Sequence, residues 1–258
     1  MSTHKPPSKI RRHKSYALSA LDTYLESLIC SPNTKTQDKA DKISYWLEDY
    51  TKFLGYETKF DASKYPRYKK GQIIQVHLGF NIGSEEGGLH YAVVIENNNY
   101  KTSPTLNIVP LTSIKDTTDI SKLRPDLGRV NLGNELFRLL STKVSTLQAT
   151  ITNEINNLRE VIASLVANDP KIQNVKDKID QLEKQFDTLK RTKDVISKMK
   201  LGSIALVGQI TTISKLRIYD PKDSNGVLSG IKLSNESIDK IDEAIRKLYI
   251  KDTTSTKE

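Results

Sequence analysis

A single cysteine, Cys30, stands among 258 residues. No internal disulfide can form, and no Cys or His cluster shows the spacing of a structural zinc site. The chain is long enough for one large domain or two small ones without such staples, and the lone thiol suits a reducing, cytoplasmic compartment. Long apolar runs are lacking too. No window approaches the roughly 20 residues that span a bilayer, and mean hydropathy is negative. After the basic start "MSTHKPPSKIRRHK" polar residues interrupt every apolar run before it reaches signal-peptide length. A soluble protein with neither membrane insertion nor export is expected. Acid is the scarcer charge: 31 Asp and Glu against 40 Lys and Arg leave a formal +9, which favours polyanions such as nucleic acid, or an acidic protein partner.

What is present alternates between helical and strand periodicity. Residues 1–14, with two prolines and the basic cluster Lys9, Arg11, Arg12 and Lys14, read as a disordered basic tail. Residues 15–60 read as a helical extension. Leu18, Leu21, Leu25, Leu28 and Ile29 recur at helical spacing, Ser31 to Asn33 breaks the run, and a second helix carries Ile43, Trp46, Leu47, Tyr50, Phe53 and Leu54 before stopping at Gly55. From Tyr68 the period becomes two. "GQIIQVHLGF" sets Ile74, Val76 and Leu78 against Gln75 and His77, and "YAVVIE" and "LNIVPLTS" follow as branched, strand-like runs.

Between Leu136 and Met199 the helical pattern returns. Leu147, Ile151, Ile155, Leu158, Ile162 and Leu165 step by fours and threes, as do Ile172, Val175, Ile179, Leu182, Phe186 and Leu189. Pro170 cannot continue a helix, so two antiparallel helices closing at Asn168 and Asp169 are expected, standing off the β core. Strand character resumes in "SIALVGQITTISKLRI", and Ser234 caps a last amphipathic helix along Ile238, Ile241, Ile245 and Leu248. The domain scheme is then a β domain of residues 65–133 and 201–252, with residues 134–200 inserted as the helical hairpin.

The runs "KKGQIIQVHLGFNIGSEEGGLHYAVVI", "SPTLNIVPLTS" and "GSIALVGQITTISKLRI", in that order and followed by a helix, resemble the PemK/MazF toxins over about residues 69–114 and 201–250. The resemblance implies an α+β fold: a small half-open β-barrel with, in this chain, a helical pair before it, a coiled-coil hairpin inserted and a helix after it. It implies the toxin of a bacterial toxin-antitoxin system, a homodimer restrained by an antitoxin, protein or RNA. It implies an endoribonuclease that cleaves single-stranded mRNA without metal or other cofactor. The alternative is a catalytically lapsed barrel that binds nucleic acid or protein; a third reading makes the barrel an anchor for a coiled-coil adaptor.

The departures from the family pattern define the site. Where the family reads Arg-Pro after its glycine loop, this chain has His90 and Tyr91. The accompanying threonine is matched by Thr112, and a second family arginine is replaced within Gln209 to Thr212, while Lys215 and Arg217 survive. Cutting RNA without metal requires a base for the 2'-hydroxyl, an acid for the leaving 5'-oxygen and donors for the phosphate, and yields a 2',3'-cyclic phosphate. Free arginine, with a pKa above about 12, is a phosphate clamp, whereas free histidine, near about 6.5, exchanges protons at neutral pH. The candidate catalytic residues are therefore His90, Thr112 and His77, the last brought near His90 if strand pairing permits. The candidate RNA-binding residues are Gly87 and Gly88 through their amides, Ser113 beside Thr112, Gln209, and the pair Lys69 and Lys70 before the first strand. Each also has a purely structural role open to it: a hydrogen-bonded strand histidine, a capped strand end, a braced loop, a solvated basic surface.

Overall fold

The computed structural model describes residues 5–115, 117–165, 170–200 and 202–251. They divide into two compact units, one through Thr58 and one from Lys59 onward.

The first unit is an αα-hairpin of α1 (Pro7–Ile29) and α2 (Thr34–Glu57). Helix α1 begins with proline in its first turn, where the missing N–H costs nothing and the fixed φ suits a helix. The expected disordered tail is therefore helical from Pro7 onward; residues 1–4 lie outside the described set. Asn33 caps α2 by accepting the Lys35 N–H at 2.9 Å, which is why the chain reverses at Ser31 to Asn33. Helix α2 does not stop at Gly55 but runs to Glu57, since glycine costs only about 1 kcal/mol within a helix. Among the described residues of this unit only Ala40 and Ile43 are buried.

The second unit is an α+β domain. Its strands are β1 (Ile73–His77), β2 (Leu89–Val94), β3 (Thr105–Ser113), β4 (Arg129–Gly133), β5 (Ser203–Leu206), β6 (Thr211–Ser214) and β7 (Ile218–Asp220). All pair antiparallel in the order β4-β5-β3-β2-β1-β7, with β6 also on β3, and the sheet does not close. The run 203–218, one strand pattern in the sequence, is cut by 3₁₀ turns at Val207–Gln209 and Lys215–Arg217. Strand β3 can thus hold β6 along its first half and β5 along its second. Strand β4 went unanticipated because "RVNLG" offers only two apolar positions.

Alternation along the strands builds two cores. Ile73, Val93, Val109, Leu111 and Ala205 face one side, where Leu136 and Leu140 of α3 (Glu135–Ala163) and Ile241 of α5 (Asn235–Tyr249) cover them. Ile74, Val76, Leu78, Ala92, Val94, Leu106 and Ile108 face the other, with Tyr68, Ile213 and Ile218. Tyr68 is 1% exposed and its hydroxyl donates to the Pro221 carbonyl at 2.7 Å. Burial, reinforced by Tyr65 and Asp220, pushes the phenol's pKa far above the ordinary tyrosine value of 10.0. The unfolded chain loses this proton first, so the contribution is fully present below pH 10 and is lost as pH rises beyond it. We expect the urea midpoint of the protein to fall between about pH 10 and 11. Tyr68→Phe should be weaker by about 1 kcal/mol at neutral pH and fall less over that range; equal falls would assign the alkaline loss elsewhere.

The inserted hairpin consists of α3 and α4 (Ile172–Lys198); its expected closing residues, Asn168 and Asp169, lie outside the described set. Its own seam buries Ile151 and Leu158 against Val175, Leu182 and Leu189, positions seven apart, as knobs in a two-helix seam require. Ile162, Ile179 and Phe186, counted in the seam from sequence, are 50%, 40% and 48% exposed: a pair of helices has one contact stripe each, and these fall beside it. The base of the hairpin does not stand off the β core. Lys143 Nζ donates to the carbonyls of Gly226, Val227 and Ser229 at 3.0, 2.8 and 2.8 Å. Thr188 and Arg191 donate to the Asn225 carbonyl at 3.1 and 3.0 Å. The buried Glu135 carboxylate accepts the Ser234 N–H and the Ser237 hydroxyl at the start of α5, the end of a helix where negative charge is favoured.

Candidate functional site

The glycine-rich loop between β1 and β2 folds over the end of this hairpin of strands for local reasons. Gly88 sits at φ 82 and its N–H donates to the Gly79 carbonyl at 2.6 Å. At Gly87 a Cβ would stand 2.7 Å from that same carbonyl oxygen, so only glycine fits. Asn81 Nδ2 donates to the Glu86 carbonyl at 2.6 Å, and Glu85 accepts the Ile82 N–H at 3.2 Å. Glu85 thus binds an amide of its own loop. Gln209 then ties the loop to the 3₁₀ turn after β5: its Oε1 accepts the Glu86 N–H at 2.7 Å and its Nε2 donates to the Ser84 carbonyl at 3.2 Å. In Gln209→Ala the Glu86 amide should exchange with solvent about tenfold faster, the worth of one hydrogen bond. Unchanged protection would show that Asn81 alone holds the loop.

Beside the loop lies an open groove of about 620 Å³, floored by Leu78, Pro110 and Ile213 and walled by Glu85, Glu86, Gln209 and Arg217. Arg217 Nε donates to the His77 carbonyl at 2.8 Å. Burial draws its pKa below the ordinary arginine value, yet a guanidinium remains charged at any neutral pH. Arg217 is the cation of the groove. Lys215, the other surviving basic position, is fully buried, donates to the Tyr100 carbonyl at 3.1 Å and sits 5.9 Å from the Tyr68 ring centroid. It is a structural tie. Its ammonium is pushed down in pKa by burial, partly offset by Glu96.

His90 meets the groove through Glu86. Its Nδ1 lies 3.2 Å from the Leu111 carbonyl and its Nε2 lies 3.4 Å from a Glu86 carboxylate oxygen, with 26% of the side chain exposed. A carbonyl only accepts, so Nδ1 carries a proton whenever that bond is made, and Nε2 is left as the working nitrogen. The register Val76↔His90 and Tyr91↔Leu111 places His90 on the face of Ala92 and Val94, the face of the groove floor. One step beyond the Tyr91↔Leu111 pair, Thr112 stands opposite it on the same face, paired on its far side with Ile204. The structure thus brings His90 and Thr112 to neighbouring positions. Neither lines the groove itself, which the loop walls off with Glu86.

Other candidates part company with them. His77 is an odd-numbered residue of β1, opposite Leu89, and alternation turns it to the other face of the sheet; its Nδ1 accepts the Gly79 N–H at 3.1 Å. The two histidines do not converge. Ser113, paired with Ser203, likewise alternates away from Thr112. The Gly88 amide is engaged by Gly79. Lys69 and Lys70 precede β1, whereas the groove lies past its far end, about 17 Å away for five strand residues, and Lys70 is ion-paired with Asp242 at 2.7 Å. What sequence reasoning missed is Glu86: the spacing of four to His90 was visible, but the fold of the loop, which alone makes them neighbours, was not.

Residues 69–183 match the model of the family described as PemK-like, MazF-like toxin of type II toxin-antitoxin system. Over this segment, less than half of the chain, the protein is similar to the PemK/MazF toxins. The match covers β1 to β4 and runs through α3 into α4, so it does not stop at the hairpin as the sequence resemblance suggested, and β5 to β7 and the first unit lie outside it. No curated protein matches the chain. The family so described is one of toxins of type II toxin-antitoxin systems. Among the described residues no helix is long and apolar enough to cross a membrane.

Proposed function

We propose that this protein is an endoribonuclease of the PemK/MazF kind acting on single-stranded mRNA, a cytoplasmic homodimer held inactive by its antitoxin. The observation that carries the reading is the imidazole of His90, fixed at Nδ1 by a backbone carbonyl and presenting Nε2 to a carboxylate at the wall of an open groove that also holds Arg217. That set answers the three needs of RNA cleavage in its own way. Glu86 accepts the proton of the 2'-hydroxyl as the 2'-oxygen attacks phosphorus. His90 Nε2–H gives its proton to the departing 5'-oxygen, and the products are a 2',3'-cyclic phosphate and a free 5'-hydroxyl. Arg217 offsets the charge of the phosphate, which two carboxylates in the groove would otherwise repel. Thr112 supplies a hydroxyl on the same face. The His90–Glu86 pair must open for the scissile phosphate to enter between them, and the glycine loop is the element that moves. The experiment is incubation of pure protein with single-stranded RNA in EDTA. Cyclic-phosphate ends that vanish in His90→Ala support a nuclease; tight binding with intact RNA supports the lapsed barrel instead.

A further inference from the structure

A second hollow, of about 320 Å³, lies at the opposite end of the β1–β2 pair, lined by Arg67, Lys69, Lys70, Lys232, Asn97 and Asn99 with the edge of Tyr68. Among the described residues no carboxylate lines it. Lys70 is held by Asp242, but Arg67, Lys69 and Lys232 enter no ion pair among the described residues, so three cations share a small concavity without a partner. Asn99 adds a different signal. It is 2% exposed, and its Nδ2 donates to Glu96 at 2.6 Å and to the Thr105 carbonyl at 3.0 Å, which fixes the orientation of the amide. Its Oδ1 is left buried without a hydrogen-bond partner. Buried acceptors are almost always satisfied, and an unmet one is costly.

The hollow therefore offers clustered positive charge above one unmet acceptor that a ligand reaches once the Asn99 side chain turns outward, and the complementary ligand carries a negative group next to an N–H donor. A phosphodiester alone has no donor. We infer that this hollow holds one nucleotide of single-stranded RNA, the phosphate among Arg67, Lys69 and Lys232 and a base N–H toward Asn99. This extends the nuclease reading to a second anchoring point for the same strand, about 17 Å along β1 from the groove. A concavity of this size takes a single nucleotide rather than the helix of an acidic protein, which is why RNA is favoured over an antitoxin here.

The test is binding of a single-stranded 2'-O-methyl dodecanucleotide, which lacks the attacking hydroxyl and cannot be cut, so its outcome does not depend on catalysis. The dissociation constant of Arg67→Ala/Lys232→Ala should rise about tenfold or more. The slope of log affinity against log salt should shrink by about 1.4, the release of two counterions on a single strand. Arg67→Lys/Lys232→Arg should keep both. Circular dichroism must show the variants folded. An unchanged constant and slope overturn the inference even if the protein cuts RNA. So does loss of polyglutamate binding with RNA binding intact, which would hand the hollow to an acidic protein. A dodecamer bound through the hollow but never cut in its 2'-hydroxyl form would instead overturn the nuclease reading alone.

Discussion

His90→Ala is expected to lower RNA cleavage about a thousandfold, and Glu86→Gln by about a hundredfold or more, the range that positioned acid and base groups contribute. The two are expected to be non-additive, because each acts on one proton of the same step and the double variant cannot lose the step twice. Single-turnover rates on a saturating substrate are the measurement, since they report chemistry apart from binding. Glu86→Gln carries a second message. The carboxylate contacts Nε2 in the free protein and walls the groove, so its neutral replacement should tighten RNA binding while slowing the cut. A variant that binds more tightly and cuts as fast would make Glu86 a mere gatepost, and the base would have to be found elsewhere. His90→Arg separates charge from proton transfer. It restores the cation that the family pattern carries but is a poor proton donor at neutral pH, and a rate at least tenfold below that of the protein is expected. Equality with the protein would mean that the ring serves only as a positive charge.

The strands and helices were legible because burial imposes a period and the period is written in the residues. Ile74, Val76 and Leu78 announce a face of β1 long before any partner is known, and Ser234 announces a helix start. The candidate site was legible only in part. His90 and Thr112 could be picked out by resemblance, and register then set them opposite one another. His77 could not be placed without knowing that Val76, not His77, pairs with His90. One position of register decides which face a side chain takes. Glu86 is the reverse case: its partnership depends on Gly87 admitting a carbonyl at a distance no side chain tolerates, and on Gln209, more than a hundred residues away, holding the loop. Such contacts are made by tertiary closure and leave no period behind.

The fastening of the hairpin is the same kind of feature, and it predicts a large stability loss. Lys143 lies on α3 among residues that read as the polar side of a coiled coil, yet its ammonium gathers three carbonyls of the 226–229 turn within 3.0 Å. Burial lowers its pKa below the ordinary 10.5, Arg191 adding to this and Asp220 opposing it. The protein accepts that cost because Val227 is itself buried and its carbonyl needs a donor, whereas the Gly226 carbonyl also accepts the Ser229 N–H at 3.1 Å. In Lys143→Met the aliphatic packing is kept and the donor removed, leaving the carbonyls of Val227 and Ser229 unmet at roughly 1 kcal/mol each or more, while Gly226 keeps the Ser229 N–H. A loss of about 2 kcal/mol in urea unfolding at neutral pH is expected. Lys143→Arg should not restore it, because a planar fork cannot converge on three oxygens as a point charge does. A loss under about 0.5 kcal/mol would mean that water replaces the ammonium and that the seam at Ile151, Leu158, Val175, Leu182 and Leu189 holds the hairpin without help. With the full loss, hydrogen exchange should show the 221–231 segment opening before the sheet does, since its only charged anchor on α3 would be gone.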